Sequence, residues 1–419
     1  MQNKFIAIPL GDIAHIDMGQ SPDSSSVFEG SDVGVPFLQG NADFGAIHPT
    51  PRFSCISPMK VCQVGDILLS VRAPVGALNI ADRVYCIGRG LAAIRIVGMQ
   101  PTLTAQLLSA ATSALRRVAQ GTTFEAISKS DLERLVVIEP PRVEQRQLTL
   151  VIDTLDTTIR QTEAIIEKLK QVKQGLLHDL LTRGIDANGE LRPQQSQAPH
   201  LYKDSPLGWV PIEWQVQRMA NYMSTDITYG IVQAGPHIDG GIPYVRTGDM
   251  SGDSLCKASM LCTTRRIADA FRRSEVRAGD IVMAIRATVG KVLMVPNELN
   301  GANLTQGTAR LAPNQQSDPV FILWAIRHER AQNSIASEIK GTTFAEITLA
   351  ALREVLLAAP VNKDEQFEIG KRMAACESRI FQERRHLEKL KAQKSGVMDD
   401  LLTGRVRVTP LLNSQSVQS

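Results

Sequence analysis

The side chains able to do catalytic or metal chemistry are scattered along this chain of 419 residues. The six cysteines contain no C-x-x-C pair and no histidine at ligand spacing, whereas a zinc site needs such sets. No H-E-x-x-H or G-x-S-x-G segment occurs among the seven histidines or the serines, so no zinc or serine hydrolase is indicated. We expect no metal site, structural or exposed histidines, and free thiols in a reducing cytoplasm.

Two near matches to cofactor motifs lack the residues that give those motifs their chemistry. Glu139-Pro-Pro-Arg142 is similar to the Asp/Asn-Pro-Pro-aromatic element of amino-methyltransferases, but its first and last residues differ from that element. Val289-Gly-Lys291 lacks the upstream glycine and the hydroxyl residue of a P-loop. The sequence therefore predicts a non-catalytic chain that holds no cofactor of its own.

The composition is that of a globular protein with a modest positive charge. Hydrophobic residues make up 43% and aromatic residues 5% of the chain, which favours a sizeable core and disfavours a base-stacking platform. A net charge of +3 leaves nucleic-acid binding to local basic stripes. The first ten residues are interrupted by Pro9 and no run of 18 apolar residues follows. We thus expect no signal peptide, no membrane span and a cytoplasmic location.

The elements that must position any functional residue occur in two copies. Gly65-Asp-Ile-Leu-Leu-Ser-Val-Arg-Ala-Pro-Val-Gly76 recurs in the second half of the chain as Gly279-Asp-Ile-Val-Met-Ala-Ile-Arg-Ala-Thr-Val-Gly290. Gly121-Thr-Thr-Phe-Glu-Ala-Ile127 recurs, at a slightly larger separation, as Gly341-Thr-Thr-Phe-Ala-Glu-Ile347. Collinear matches so far apart indicate two whole modules rather than a short solenoid repeat. Apolar runs opened by Gly-Asp turns predict mixed α/β modules of short strands.

Behind each module the apolar residues change to the heptad period of a coiled coil, alternately four and three residues apart. Each position of the first run matches a position of the second run at one constant separation. The predicted seam consists of Leu148, Ile152, Leu155, Ile159, Ile166, Leu169, Leu176, Leu180, Ile369, Met373, Ile380, Leu387, Leu390, Val397 and Leu401.

A single amphipathic helix of this length cannot bury its seam alone. At 1.5 Å per residue, each run of about 40 residues predicts a helix about 60 Å long. We expect the two helices to pair as an antiparallel coiled coil with internal pseudo-two-fold symmetry. Packing of each helix on its own module, or on another chain, is the alternative.

These features resemble the DNA specificity (S) subunits of type I restriction–modification systems. The likeness rests on the duplicated Gly-Asp-Ile strand segment, the paired Gly-Thr-Thr-Phe segments, Leu-Leu-Thr at both helix ends, and the restart Leu207-Gly-Trp-Val-Pro-Ile-Glu-Trp214. It extends over nearly the whole chain and stops after about Val406. The resemblance implies two target recognition domains joined by two long helices. The implied division is residues 1–141 (first target recognition domain), 142–182 (first coiled-coil helix, a spacer), 183–205 (linker), 206–360 (second target recognition domain), 361–404 (second coiled-coil helix) and 405–419 (tail).

The resemblance also implies the function and the partners. Each recognition domain would read one half of a bipartite double-stranded DNA target, with the helices setting the gap between them. The helices would dock modification subunits, two per chain, which bind S-adenosylmethionine and methylate adenine. A restriction subunit, where present, would cut and translocate DNA with ATP and Mg²⁺. The alternatives are a coiled-coil interaction scaffold that binds no DNA and a DNA methyltransferase or nuclease with unrecognised motifs.

Candidate DNA-contacting residues follow from comparing the copies, because a residue shared by both suits phosphate and a residue that differs suits base reading. Arg72 and Arg286 are shared, and a structural loop cap is their alternative role. Gln39 and Asn41 differ from their counterparts Arg246 and Gly248. The full set is Gln39, Asn41, Arg72, Arg89, Thr122, Thr123, Arg246, Arg265, Arg266, Arg286, Gln306, Lys340, Thr342 and Thr343.

The remaining candidates have equally plain structural alternatives. The Gly-Thr-Thr segments, with Lys340 before the second, suit phosphate contacts through hydroxyl and backbone N–H groups. A helix N-cap is their alternative role. Arg89 precedes Gly90 where Gln306 precedes Gly307. The basic run that begins with Arg265 and Arg266 suits a phosphate track, or is a solvated helix face.

Overall fold

A computed structural model describes residues 4–30, 33–119, 126–341 and 345–410, with the side chains of residues 113–119 left out. The chain divides into two compact units. The first unit comprises Met1–Ala164 and Arg385–Ser419, and the second comprises Ile165–Arg384. The first unit therefore takes residues from both ends of the chain.

Within its described residues, the first unit builds a two-stranded, a four-stranded and a five-stranded sheet. The strand orders are β1-β11, β2-β10-β7-β8 and β3-β5-β4-β9-β6. The strands are β1 Ile6–Pro9, β2 Ala14–Met18, β3 Val27–Glu29, β4 Val35–Leu38, β5 Phe53–Cys55, β6 Val61–Cys62, β7 Ile67–Ser70, β8 Leu78–Ile80, β9 Tyr85–Ile87, β10 Leu91–Ile96 and β11 Val136–Glu139.

The second unit repeats the two-stranded and four-stranded sheets, with a three-stranded sheet in place of the five-stranded one and a further two-stranded sheet, within the residues that the structure describes. Among its described residues the strand orders are β12-β13, β14-β22, β15-β21-β18-β19 and β17-β16-β20. The strands are β12 Tyr202–Lys203, β13 Val210–Pro211, β14 Trp214–Arg218, β15 Thr228–Tyr229, β16 Ile242–Val245, β17 Cys262–Thr263, β18 Ile281–Ala284, β19 Val292–Met294, β20 Asn303–Leu304, β21 Thr308–Leu311 and β22 Leu356–Pro360.

The helices comprise short ones within the modules and two long ones behind them. They are α1 Pro101–Ala119, α2 Lys129–Glu133, α3 Arg142–Thr182, α4 Arg265–Ala270, α5 Pro319–Arg327, α6 Glu329–Ser337, α7 Leu349–Glu354 and α8 Lys363–Leu402. The predicted long helices are therefore present as α3 and α8. Helix α1, and the pair α5 and α6, are elements that the sequence analysis did not locate.

Matching strands make matching pairs in the two units. The pair β4–β9 is parallel, and so is its counterpart β16–β20. The pairs β1–β11 and β14–β22 are both antiparallel. Each four-stranded sheet places the Gly-Asp-Ile strand, β7 or β18, between two antiparallel neighbours. The predicted fold class, two duplicated mixed α/β modules with long helices, is confirmed.

An ion pair between a strand arginine and a buried aspartate recurs in both four-stranded sheets. Asp66 accepts a hydrogen bond from Arg95 Nε at 2.6 Å, and Asp280 accepts one from Arg310 Nε at 2.7 Å. Each aspartate also accepts the backbone N–H three residues before it, at 2.7 Å for Asp66 and 2.8 Å for Asp280. The Gly-Asp pattern predicts a turn at these aspartates, and the two side chains additionally tie that turn to the neighbouring strand.

In the first unit, the start of α3 packs against the end of α8. Leu148 and Ile152 are fully buried in one hydrophobic cluster with Met398, Leu401 and Leu402. Two ion pairs flank this contact, Lys394–Asp156 at 2.5 Å and Lys391–Glu163 at 2.9 Å. Residue numbers rise on α3 as they fall on α8, so the two segments are antiparallel here.

In the second unit, the end of α3 packs against the start of α8. Leu180 lies in one cluster with Ile369 and Met373. Lys173, a polar interruption of the seam, lies 3.6 Å from Glu377. Of the fifteen predicted seam residues, eleven are buried and Leu155, Leu169, Leu176 and Val397 are intermediate.

A buried glutamate lies near the start of each long helix. It pairs with an arginine from the segment that follows the other long helix. In the second unit, Arg192 forms a bidentate pair with Glu365, at 2.6 and 3.1 Å, and both side chains are 8% exposed. Trp214 Nε1 donates to the same carboxylate at 3.0 Å. In the first unit, Arg407 Nε donates to Glu144 at 2.8 Å. Residues 183–205 therefore contribute a buried contact to the second unit.

We predict that Glu365→Gln destabilises the second unit by about 3 kcal/mol, because removing one partner leaves the buried Arg192 charge without its main counter-ion. Urea unfolding followed by tryptophan fluorescence measures the loss, since Trp214 contacts the pair. The matched control is Glu368→Gln one turn further along α8, where the carboxylate pairs with Arg372 at the surface. The control should change stability by less than about 1 kcal/mol, and equal effects of the two variants would contradict the prediction.

Candidate nucleic-acid interface

In the first unit, the turns that follow four strands meet at one place. The backbone N–H of Gln20, after β2, donates to Ile87 O at the end of β9 at 2.9 Å. The N–H of Gly88 donates to Leu38 O at the end of β4 at 2.8 Å, and the N–H of Val71, after β7, donates to Gly90 O at 2.9 Å. We call residues 19–21, 39–43, 71–72 and 88–90 the first strand-end cluster.

The second unit repeats this arrangement through equivalent backbone contacts. Ile231 N, after β15, donates to Leu304 O at 2.7 Å, and Thr305 N donates to Val245 O at 3.1 Å. Ile285 N, after β18, donates to Gly307 O at 2.9 Å. Residues 230–231, 246–249, 285–286 and 305–307 form the second strand-end cluster. Duplication has thus preserved the backbone at this place.

Close backbone approach demands glycine at one position of each cluster. A Cβ on Gly19 would lie 2.1 Å from Gly88 O, and a Cβ on Gly230 would lie 1.9 Å from Leu304 O. No side chain fits at such distances without moving the backbone. The two glycines therefore hold the strand ends close enough for residues on separate turns to share one surface.

The first strand-end cluster gathers four of the predicted residues. Gln39, Arg72 and Arg89 are exposed, and Asn41 is intermediate. The Nε of Arg89 donates to Ser21 Oγ at 3.3 Å, which fixes this arginine beside the turn after β2. These exposed polar side chains from separate turns are the groups able to contact a ligand.

The second strand-end cluster gathers Arg246, Arg286 and Gln306, all intermediate in exposure. Arg286 pairs with Glu346 at 3.0 Å, and Lys340 forms a backbone bridge to the same residue. The first unit has Ala126 in the place of Glu346, bridged to the exposed Arg72. The shared arginines therefore have different surroundings.

Two aspartates beneath the clusters were missed by the sequence analysis. Asp43 accepts the backbone N–H of Gln39 at 3.0 Å, and Asp249 accepts that of Arg246 at 2.9 Å. Their side chains are only 3% and 5% exposed. The available signal was an aspartate four or five positions after the end of β4 and of its counterpart β16.

The basic run of the second unit lies on exposed helical turns. Arg265 and Arg266 start α4 and are exposed, and Asp269 lies 3.7 Å from Arg265. The Cζ of Arg273 lies 5.9 Å from the centre of the Tyr229 ring. Tyr229 immediately precedes Gly230 of the second strand-end cluster. The run thus approaches the second strand-end cluster through Arg273. Thr122, Thr123, Thr342 and Thr343 lie outside the described residues.

A known family matches both halves of the chain. The family model described as type I restriction modification DNA specificity domain matches residues 4–171 and 236–392, which is more than half of the chain. The chain belongs to this family. Among the residues searched, no helix is long and apolar enough to cross a membrane.

Individual members of the specificity family match parts of the chain. The chain is 40% identical over 169 residues to the "Putative type I restriction enzyme MjaX specificity subunit" of Methanocaldococcus jannaschii, over 40% of each chain. It is 22% identical over 264 residues to the type I restriction enzyme EcoBI specificity subunit of Escherichia coli, over 62% of this chain and 55% of the relative. The matches thus span about half the length of these relatives or less.

Solved structures match the fold over nearly its full length. A type I restriction-modification S subunit from M. genitalium superposes with a TM-score of 0.60 at 13% identity, over 96% of each chain. A chain from a study of complex assembly and conformational transition of the type I R-M system gives a TM-score of 0.57 at 16% identity, over 97% of this chain and 99% of that one. At these identities the likeness concerns the fold of the specificity family.

One group of potential metal ligands lies away from the clusters. His178, His328 and Glu329 offer ligand atoms within 4.8 Å of one another. However, His328 Nδ1 accepts the backbone N–H of Arg330 at 3.3 Å and caps α6. This bond occupies the Nδ1 lone pair and places the proton of the neutral ring on Nε2. His328 therefore acts as a helix cap, and with its Nδ1 engaged these three residues do not indicate a metal centre.

We predict that His328 makes the stability of the second unit fall in mild acid. Burial, aided by the charge of Arg330, lowers the pKa of His328 to about 4 from an ordinary 6.5. Above pH 6.5 the ring is neutral in both states and contributes no pH dependence. As the pH falls from 6.5 to 4, the unfolded chain gains a proton that the folded chain resists, which costs about 1.4 kcal/mol per pH unit.

Urea midpoints measured from pH 7 to pH 4.5 test this expectation in His328→Asn, which retains a capping acceptor. The variant should show a shallower loss of stability with acid than the unchanged protein. His200→Asn, at an exposed histidine, is the control and should follow the unchanged protein. Parallel curves for all three proteins would contradict the assignment.

Proposed function

We propose that the chain is the DNA specificity subunit of a type I restriction–modification complex and that each strand-end cluster reads one half of a bipartite double-stranded target. The observation that carries the proposal is that one backbone arrangement, present twice, bears different polar side chains. Gln39 stands where Arg246 stands in the second unit, and Arg89 stands where Gln306 stands. Two readers of this kind suit two different half-sites, because side-chain identity encodes the base and the backbone does not.

Residues shared by the two clusters suit the sequence-independent part of binding. Arg72 and Arg286 lie at equivalent positions beside the readers, and a guanidinium suits a phosphate oxygen. Lys340, Arg265 and Arg266 would add positive charge around the second cluster. Contacts of this kind fix the position of the protein on the duplex and make its affinity salt-dependent.

The chemistry would belong to partners. In this proposal two modification subunits dock on the helices, bind S-adenosylmethionine and methylate adenine in the target. A restriction subunit, where present, uses ATP and Mg²⁺ to translocate and cut the DNA in the cytoplasm. The chain itself acts by recognition, with residues 1–141 and 206–360 as the two target recognition domains.

Mapping of methylated adenines across the genome tests this function. A host without other adenine methylation would express this chain together with its modification subunit. We expect one bipartite motif that disappears when this chain is omitted. No methylation in the presence of both subunits would favour the scaffold alternative, and methylation by this chain alone with S-adenosylmethionine would favour the enzyme alternative.

An exchange of residues 1–141 for the corresponding region of a family member with a known target tests the division of labour. Only one half of the methylated motif should change, because the second strand-end cluster is left intact. The reciprocal exchange of residues 206–360 should change only the other half. A change of both halves in either chimera would contradict independent reading by the two modules.

Arg72→Gln should weaken binding of the assembled complex to all DNA sequences about equally. Losing one phosphate contact should reduce the slope of log affinity against log salt by about 0.9. Fluorescence anisotropy on target and non-target duplexes, over a series of salt concentrations, measures both effects. Arg134→Gln, an exposed arginine on the turn after α2 that pairs with Asp131, is the control. A loss confined to the target duplex would contradict the phosphate role.

A further inference from the structure

One buried carboxylate lies beneath the same strand-end residue in both modules. Asp43 and Asp249 each accept the backbone N–H of the residue that follows β4 or its counterpart β16. Both carboxylates are more than nine-tenths buried. Burying a carboxylate is costly unless it is well paired, so a role in fixing the strand-end residue accounts for its presence.

In the second module this carboxylate also holds the side chain above it. Arg246 Nε donates to Asp249 Oδ2 at 3.0 Å, and Arg246 Nη2 donates to Oδ1 at 2.7 Å. These bonds use one edge of the guanidinium. The other edge, formed by Nη1 and the second hydrogen of Nη2, keeps two parallel donors, and the side chain is 41% exposed.

Two parallel donors on a fixed guanidinium match the O6 and N7 acceptors of guanine in the major groove. Arg246 is fixed before any ligand arrives, so less side-chain entropy is lost when it binds. A mobile surface arginine would suit a phosphate equally well, whereas an arginine held by a buried carboxylate favours one orientation and hence one kind of base edge.

In the first module, the residue above the buried carboxylate is a glutamine instead of an arginine. Gln39 is exposed, and its amide offers one donor and one acceptor, the pattern that matches adenine N6 and N7. Asp43 Oδ1 is buried and has no hydrogen-bond partner among the described residues, with Arg52 Nε 3.8 Å away. The first module therefore retains the acceptor that an arginine at position 39 would use.

We propose that this strand-end position reads one base in each half-site, with Arg246 selecting a guanine and Gln39 selecting an adenine. Asp249 acts as the positioning residue of Arg246. The inference rests on the proposed function and deepens it, because it assigns one base of each half-site to one residue.

Methylated-adenine mapping with Arg246→Gln tests the assignment. In the unchanged protein, the half-site read by the second module should contain a guanine. In the variant, discrimination against other bases at that one position should fall by about 5- to 150-fold, and the other half-site should be unchanged. Arg218→Gln is the matched control, because Arg218 is an exposed arginine of the same module that pairs with Glu354, and it should leave the motif intact.

Asp249→Asn separates positioning from plain structural support. Asparagine keeps an acceptor for the backbone N–H of Arg246 but loses the charge that holds the guanidinium. Relaxation at the same base position, with no further loss when Arg246→Gln is added, supports the positioning role, since residues that act as a unit are non-additive. An even loss of methylation at all sites, with the guanine preference unchanged, overturns it.

The reverse exchange tests the first module. Gln39→Arg should replace an adenine with a guanine at one position of the other half-site, because Asp43 Oδ1 is available to the new guanidinium. If Arg246→Gln lowers methylation everywhere, binding of the assembled complex to a duplex library randomised at the half-site reports base preference without turnover. An unchanged guanine preference there overturns the assignment.

The outcomes distinguish this inference from the proposed function. Absence of any bipartite motif with the unchanged protein would remove the proposed function and this inference together. A bipartite motif that keeps every base in Arg246→Gln, Asp249→Asn and Gln39→Arg would overturn only the inference.

Discussion

Burial of the heptad seam is the constraint on which the two units depend. A helix as long as α3 or α8 that carries an apolar stripe is not stable in water unless the stripe is covered. Within the first unit the start of α3 is covered by the end of α8, and within the second unit the end of α3 is covered by the start of α8. Neither sequence half therefore contains a complete unit, because each core draws on both long helices.

The buried glutamates reinforce this dependence at the helix starts. Glu365 and Glu144 occupy equivalent positions, and each is held by an arginine from the segment that follows the other long helix. A paired buried carboxylate penalises any arrangement that separates it from its partner. These ion pairs thus favour one pairing of the helix ends. Apolar packing alone discriminates less strongly between alternative pairings.

The strand-end clusters also depend on a small number of fixed contacts. The backbone of both is fixed by close approaches at Gly19 and Gly230 and by equivalent hydrogen bonds between strand ends. Side chains that face outward from this backbone can change without disturbing it, because they lie at turns and not in the core. A duplicated frame whose outward residues differ between the copies supports the proposal of two different half-sites.

The sequence by itself determined the duplication, the alternation of modules with long helices and the two long helices themselves, because these depend on local periodicity and collinear repetition. The strands at Ile67 and Ile281 were evident from the Gly-Asp turns that open them, and the long helices were evident from their heptad period. The assignment of DNA-contacting residues is still a prediction. Only the tertiary structure brought Arg89 beside Ser21, paired Arg286 with Glu346, and placed Asp249 beneath Arg246. The first two contacts join residues from separate turns, whose distances are set by sheet pairing and glycine approaches that no local pattern encodes, and the third depends on the burial of Asp249 beneath its own turn.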